Sequence, residues 1–235
     1  MHPKLAQNSK DYRQKGFVVI QVAELNEINK LKKILVRHIS EKIFRKKIAA
    51  SRINEHMYHL TDLVEKLHQK KMTASNRHFK RMPAILKGMI KKNIKKFEQI
   101  IGAKITNIWD EGYGSWGFRL IRPQSNDGYQ WSCKAWGPAK KVVSLIVPIF
   151  GRNTNSLPLF AENSREVRLK GRIIKSLHCS TEKRVNPGDL RKLKIAFFKI
   201  KKGEGILFSP HCFHSENNVS SDQSRLSLEL RFETT

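Results

Sequence analysis

The stretch from Gly203 to Phe232, GEGILFSPHCFHSENNVSSDQSRLSLELRF, decides the fold that this sequence predicts. A glycine turn leads into an apolar strand, which is followed by a histidine-containing corner, a polar loop and a final strand. The final strand alternates in hydrophobicity, with Leu226, Leu228, Leu230 and Phe232 on one face and Ser227, Glu229 and Arg231 on the other. Strict alternation is the pattern of a β-strand with two different faces.

Extended segments of this kind continue back along the chain to about Lys104. They are short and are separated by Gly, Pro, Asn and Asp. We expect strands at residues 105–109, 117–121, 142–148, 195–199, 205–208 and 226–232. Many short strands with turns between them favour a sandwich or jelly roll over a parallel sheet.

The first hundred residues have a helical pattern instead. A short helix precedes the extended stretch 17–20, with Gly16 as its C-cap. Apolar residues at helical spacing predict three further helices. The first two have stripes at Leu25, Ile28, Leu31, Leu35, Ile39 and Ile43, and at Leu60, Leu63, Val64 and Leu67. The third runs from Pro83 to Ile101, and Gly102 ends it. We therefore predict an α+β protein with a single domain, 1–235. Residues 1–103 form a mostly helical, basic part, and residues 104–235 form a double-stranded β-helix (jelly roll or cupin-like) core.

Size and composition agree with one globular domain. The chain has 235 residues, of which 39% are hydrophobic. Three cysteines without CxxC spacing argue against a disulfide scaffold or a zinc knot and favour a cytoplasmic location. The polar start has no signal-peptide pattern. The longest apolar run, from Val142 to Phe150, is too short to span a membrane.

The net charge of +26 is the most unusual bulk property of the sequence. Between Lys30 and Lys104 there are 21 Lys or Arg residues against 5 Asp or Glu. Such a surplus predicts attraction to nucleic acid or another polyanion. The same lysines are also explained as the solvated faces of helices, as at Lys91, Lys92, Lys95 and Lys96. The sequence leaves both interpretations open.

His214 and Arg225 are the residues in the deciding stretch that can carry chemistry. If His214 ends one strand and Arg225 starts the next, both side chains point into one mouth of the barrel. A neutral imidazole there can ligate Fe(II). A guanidinium slightly deeper can hold a carboxylate through two parallel hydrogen bonds.

The stretch resembles the C-terminal signature of phytanoyl-CoA dioxygenase-like proteins, a branch of the Fe(II)/2-oxoglutarate oxygenases. Their pattern is a glycine turn and strand, a His, ten residues, and then R-x-S-x-[DE]-x-R-F, which is similar to Arg225-Leu-Ser-Leu-Glu-Leu-Arg-Phe232 here. Segments 12–20, 118–123 and 143–149 also look like parts of that family. The resemblance implies His214 as an iron ligand, Arg225 and Ser227 as the residues that hold 2-oxoglutarate, and Fe(II) and 2-oxoglutarate as cofactors.

This chain departs from the family at the H-x-D pair of iron ligands, because the triplet H-x-D does not occur in it. The expected place carries the candidate pocket residues Gln130, Ser132, Lys134 and Trp136. Alignment on Trp136 puts Ser132 and Lys134 at the ligand positions, and a shift of two residues puts Gln130 and Ser132 there. Among other possible metal donors, His211, His178 and Cys179 are weaker candidates. We assign no catalytic residue.

Two functions follow from the resemblance. The first is a dioxygenase that hydroxylates a small or sugar-like metabolite, and the second is a metal-deficient, non-catalytic relative that keeps the pocket. A basic nucleic-acid- or polyanion-binding protein on the same scaffold is the alternative from a different class. The partner is then a small-molecule substrate or a polyanion, and the sequence does not indicate an oligomeric state.

Overall fold

The computed structural model describes fourteen parts of the chain, at residues 3–41, 49, 52–53, 82–109, 116–121, 131–135, 141–150, 159–163, 172–174, 181–185, 187–196, 198, 200–215 and 225–235. Three α-helices lie in these parts: α1 (Pro3–Lys15), α2 (Leu25–Ile39) and α3 (Ala84–Ile101). None of the helices in these parts is long and apolar enough to cross a bilayer.

Glycines end two of these helices. Gly16 follows α1 with φ 81°, and its amide donates to the carbonyl of Tyr12 at 2.8 Å. Gly102 follows α3 with φ 77° and donates to the carbonyl of Glu98 at 2.8 Å. Glycine adopts this left-handed conformation without the steric cost of a side chain. The predicted ends of both helices are therefore confirmed.

The described parts also contain twelve β-strands and one 3-10 helix, Pro187–Lys192. The strands are β1 (Phe17–Gln21), β2 (Ile105–Ile108), β3 (Gly117–Ile121), β4 (Ser132–Ala135), β5 (Lys141–Phe150), β6 (Leu159–Ala161), β7 (Arg172–Ile174), β8 (Thr181–Arg184), β9 (Ile195–Ala196), β10 (Glu204–Phe208), β11 (His214–Ser215) and β12 (Arg225–Thr234).

The strands form two antiparallel sheets. The first sheet has the order β1-β10-β5-β12-β2, and β3 pairs with β12 beside β2. The second sheet has the order β7-β8-β4-β11-β6-β9. Consecutive strands frequently lie in different sheets, so the chain crosses between the sheets repeatedly, as it does in a jelly roll.

One face of the first sheet packs against the helices. Leu226, Leu228, Leu230 and Phe232 of β12 share one buried apolar cluster with residues of α2 and α3. The ring of Phe97 in α3 lies 5.6 Å from that of Phe232, measured between centroids. The apolar face that the sequence predicts for the last strand is thus the face that the helices cover.

The opposite face of the first sheet looks towards the second sheet. Phe160 of β6 contacts Phe17 and Phe208 of the first sheet, with ring centroids 5.1 and 5.0 Å apart. These rings form a second buried cluster with Ile146 and Cys212, among others. We call the face of the first sheet that carries Phe17, Phe208 and Ile146 the inner face, since it lies between the sheets.

All six predicted strands occur; β3 has the predicted bounds, 117–121, and the bounds of the other five differ from the prediction. The final strand runs to Thr234, and the segment predicted at 195–199 forms only the two-residue strand β9. Five strands, β4, β6, β7, β8 and β11, were not predicted, because two to four residues give too short a pattern to identify. Helix α1 begins at Pro3, earlier than expected. The helix predicted at 60–67 lies outside the described residues.

Candidate functional site

His214 lies in the second sheet at a point of contact with the inner face. It belongs to the two-residue strand β11, which pairs with β4 on one side and β6 on the other. Its side chain is buried at 7% exposure. The imidazole stacks on Phe160 at 5.7 Å and contacts Phe208 edge-on at 5.1 Å, measured between ring centroids. Two phenyl rings therefore fix the plane of the imidazole.

The hydrogen bond of His214 determines its tautomer. Nδ1 lies 2.9 Å from the backbone carbonyl oxygen of Cys212. A carbonyl can only accept, so Nδ1 carries the proton and the lone pair of the neutral ring is on Nε2. A histidine that ligates a metal through Nε2 is oriented by this kind of bond. The local geometry of His214 fits a metal ligand.

The strand next to His214 carries two of the residues that the resemblance suggests at the positions of the other iron ligands. Ser132 of β4 is the direct register partner of His214, and Lys134 follows two positions along the same strand. Ser132 belongs to both alignments that the sequence leaves open, so this register does not choose between them. Gln130 and Trp136 lie outside the described residues. Within the described parts of the chain, no group of three His, Cys, Asp or Glu residues is placed to hold a metal ion.

Arg225 and Ser227 lie on the inner face of β12. They alternate with the leucines of the helix-covered face, and each is only 2% exposed. Nε and Nη2 of Arg225 are both buried. A guanidinium removed from water needs polar or anionic surroundings, since an isolated buried charge is costly. The two residues that the sequence assigned to carboxylate binding are thus neighbours on one buried surface.

Beyond Ser227, the inner face carries an Arg–Glu–Arg network that the sequence reading missed. Glu229 Oε2 accepts from Arg119 Nε at 2.8 Å and from Arg119 Nη2 at 2.7 Å. Glu229 Oε1 accepts from Arg231 Nη2 at 2.7 Å. Arg119 comes from β3, where it is the register partner of Ser227. One carboxylate is therefore shared by two guanidiniums, and we call these three residues the inner triad.

The inner triad could have been suspected from the alternation of the final strand. Glu229 and Arg231 have the same parity as Arg225 and Ser227, so the sequence already puts them on one face. We had no reason to expect that face to be covered, because a single amphipathic strand usually has a solvated polar side. Arg119 is distant in sequence and gave no signal of its own.

The remaining sequence candidates are separated from this site or untested. His211 is exposed, whereas His214 is buried, so the HxxH pair does not form one metal site. His178 and Cys179 lie outside the described residues. The triplet His214-Ser-Glu216 is an H-x-E sequence that our reading passed over, and Glu216 also lies outside the described residues.

Lys96 is a partly buried lysine of the helical layer. Lys96 of α3 donates from Nζ to the backbone carbonyl of Gln21 at 2.5 Å. Partial burial lowers the pKa of Lys96, and repulsion from Lys4 lowers it further. Lys96 is thus one lysine of the basic helical surface whose charge is partly withdrawn from water. Binding of nucleic acid or another polyanion to it stays a prediction from charge.

Comparison with solved structures identifies the type of fold. No family model and no curated protein matches the sequence. AviO1 from Streptomyces viridochromogenes matches with a TM-score of 0.62 at 10% identity, over 97% of this chain and 94% of that protein. SnoK, a non-heme alpha-ketoglutarate-dependent carbocyclase from nogalamycin biosynthesis, matches with a TM-score of 0.61 at 8% identity. The match covers 97% of this chain and 83% of SnoK.

A third structure adds a bound ligand set. The epimerase SnoN, solved in complex with Fe3+, alpha-ketoglutarate and nogalamycin RO, matches with a TM-score of 0.56 at 12% identity, over 98% of this chain and 83% of that protein. The ligands of SnoN agree with the cofactors expected from the sequence. At these identities the likeness shows the fold, and the chain folds as a jelly roll of the kind found in non-heme alpha-ketoglutarate-dependent enzymes.

Proposed function

We propose that this chain is a dioxygenase-like protein that binds 2-oxoglutarate between its two sheets. Arg225 holds the C5 carboxylate through its guanidinium, and Ser227 donates its hydroxyl to the same group. The observation that carries the proposal is the burial of both side chains, side by side, on the inner face of β12. A desolvated guanidinium is a strong and geometrically selective partner for a carboxylate.

Within this fold, we propose the phytanoyl-CoA dioxygenase-like proteins as the family and the cytoplasm as the location. The family proposal rests on the pattern from Arg225 to Phe232. In that pattern, Arg225, Ser227, Glu229 and Arg231 all lie on the inner face. A signature whose polar members share one buried surface is explained by a common ligand or by a common network. We propose a small molecule as the ligand.

His214 is the residue that would hold Fe(II), through Nε2. The neighbouring strand does not complete the site, because a serine and a lysine stand where an imidazole and a carboxylate are needed. Fe(II) prefers imidazole and carboxylate donors, and a single imidazole retains it weakly. We therefore derive no reaction step through iron. Hydroxylation of a small or sugar-like metabolite is proposed only for protein that is shown to retain Fe(II).

Calorimetric titration with 2-oxoglutarate tests the carboxylate site. Arg225→Gln should weaken binding by about 2 kcal/mol or more, roughly thirtyfold, because it removes a charge-assisted pair. Arg37→Gln is the matched control, since it removes an equal charge from an exposed position on α2. Equal affinity of wild type and Arg225→Gln would contradict the assignment of this residue.

Metal analysis tests the iron site separately. Protein loaded anaerobically with Fe(II) and then desalted should retain much less than one equivalent, and it should not convert 2-oxoglutarate to succinate. Stoichiometric iron that is lost in His214→Ala would establish His214 as a ligand and restore the enzyme assignment. Loss in Glu216→Gln as well would identify the H-x-E triplet as the source of the carboxylate.

A further inference from the structure

The exposed face of α3 is lined by lysines. Lys91, Lys92 and Lys95 are exposed, and Lys96 is half-buried beside them. Lys91 and Lys95 follow each other after one helical turn, about 6 Å along the axis, and Lys92 lies next to both. We call Lys91, Lys92 and Lys95 the lysine face.

The lysine face does not stabilise the helix that carries it. Like charges one turn apart repel each other. A helix favours anions in its first turn and cations in its last, yet α3 has no acidic residue in its first turn and no basic residue in its last. Within the described parts of the chain the lysine face forms no ion pair, whereas Lys104 pairs with Glu98 at 3.7 Å. Its charges are therefore available to a partner of opposite charge.

Helix α1 extends this basic surface. It packs on α3, where Ser9 Oγ donates to the carbonyl of Ile100 at 3.3 Å. The pKa of Lys96 is lowered by burial first and by repulsion from Lys4 second, so Lys4 lies close to Lys96. Lys4 is exposed and makes no ion pair with any residue that the structure describes. The two helices thus share one surface of positive charge.

The side chains of α3 suit phosphate better than bases. A lysine ammonium is a compact point charge that binds phosphate, whereas bases are read by arginine forks or stacked on aromatic rings. Helix α3 contains no arginine, and Phe97, its one aromatic residue, is fully buried. Single-stranded bases therefore find no platform on this helix. A duplex offers phosphates at twice the density of a single strand, about one charge per 1.7 Å of its axis.

An anionic membrane also presents phosphates, but the apolar residues of these helices do not suit it. A helix that lies in the membrane interface buries an apolar face among the lipids. The apolar face of α3 is already buried in the protein core, through Leu86, Met89, Ile90, Phe97 and Ile100. The large apolar side chains that are exposed in the described residues, Leu25 and Ile195, lie outside α1 and α3. The surface has charge but no side chain to insert, which favours a nucleic acid over a membrane.

We propose that the lysine face, together with Lys4, binds the phosphate backbone of a nucleic-acid duplex without reading its sequence. This function goes beyond the proposed carboxylate site, because it uses the exposed side of the helical layer and not the inner face. Binding releases the cations that are condensed on the phosphates, so the affinity falls as salt is added. Each lysine that contacts a phosphate contributes roughly 0.9 to the slope of log affinity against log salt concentration.

Fluorescence anisotropy with a labelled DNA duplex, measured over a series of salt concentrations, tests the proposal. The double variant Lys91→Gln/Lys95→Gln should make the slope shallower by about 1.8 and weaken binding about tenfold at low salt. Its unfolding temperature should not fall, because both lysines are exposed and their replacement relieves repulsion. An affinity of wild type that does not depend on salt would overturn the proposal.

A second double variant locates the binding surface. Arg191→Gln/Lys194→Gln removes the same charge from exposed positions beside β9 of the second sheet. Its slope should equal that of wild type. An equal change of slope in both double variants would overturn the proposal, because binding would then follow from the net charge of the whole protein and not from the lysine face.

Competing ligands identify the partner. Vesicles of phosphatidylcholine and phosphatidylserine in equal parts should not displace the labelled duplex at equal concentration of phosphate. Displacement by the vesicles would overturn the proposal in favour of a membrane surface. Unlabelled duplexes of two unrelated sequences should compete equally, and a single strand of the same length should compete more weakly. A strong preference for one sequence or for the single strand would mean contacts with bases, which contradicts binding through phosphates alone.

Discussion

The two faces of β12 are buried to a similar extent but with opposite chemistry. Leu226, Leu228, Leu230 and Phe232 pack in one cluster with the helices, whereas Arg225, Ser227, Glu229 and Arg231 lie on the inner face. Burial of the first face stabilises the folded state. Burial of the second face is costly, because its charged groups lose their hydration and only their mutual contacts offset this loss. A buried surface that is costly to build is a better candidate for a binding site than one that stabilises the fold by itself.

Glu229→Gln should produce the largest effect on stability. It leaves two buried guanidiniums without their shared carboxylate, so we expect the free energy of unfolding to fall by about 4 kcal/mol. Urea denaturation measures this loss. Glu41→Gln, which breaks the exposed pair of Glu41 with Arg37, is the control and should cause no measurable change. Similar behaviour of the two variants would mean that the inner triad is not effectively desolvated.

Leu228→Ala should produce the next largest effect, on the opposite face. Leu228 is fully buried, so its truncation leaves a cavity and should lower the free energy of unfolding by about 3 kcal/mol. Leu25→Ala removes an equal volume from a leucine that is 53% exposed, and should change stability by less than about 1 kcal/mol. The affinity of folded Leu228→Ala for 2-oxoglutarate should equal that of wild type. A parallel loss of affinity would show that the two faces are coupled.

Ser227→Ala should affect binding more than folding. Removal of one hydrogen bond to the ligand should weaken 2-oxoglutarate binding by about 1 kcal/mol, roughly fivefold, in calorimetric titration. Ser40→Ala removes another buried hydroxyl, which donates to Val36 in α2, and should leave the affinity unchanged. If Ser227→Ala binds as tightly as wild type, the carboxylate site consists of Arg225 without Ser227.

Lys96→Met should produce the smallest effect and concerns a partly buried charge on the helical layer. Because burial lowers the pKa of Lys96, the folded protein releases this proton more readily than the unfolded chain. Wild type should therefore gain stability as the pH rises towards 10.5, by less than about 1 kcal/mol. Lys96→Met should lack this gain, while Lys95→Met should retain it. The same pH dependence in all three proteins would contradict the assignment.

The sequence predicts the parts of this molecule that depend on local patterns. The alternation in β12, the glycines that end α1 and α3, and the stripe of α2 from Ile28 to Ile39 each follow from neighbouring residues, although Leu25, which the pattern put in that stripe, is 53% exposed. The short strands β4 and β11 exist because they pair with each other, which no local pattern shows. The inner triad depends on the pairing of β3 with β12, so Arg119 could not be linked to Glu229 in advance.

The pairing of β1 with β10 has a consequence for the order of folding. Phe17 lies opposite Phe208, and the turn after β1 is joined to Gly203, whose carbonyl accepts from the amides of Val22 and Ala23. Contacts between segments so distant in sequence form slowly, because a long loop must close first. During synthesis, β1 cannot form this pairing until β10 has left the ribosome. An N-terminal truncation that removes β1 would leave β10 as an open sheet edge, prone to pair with other chains.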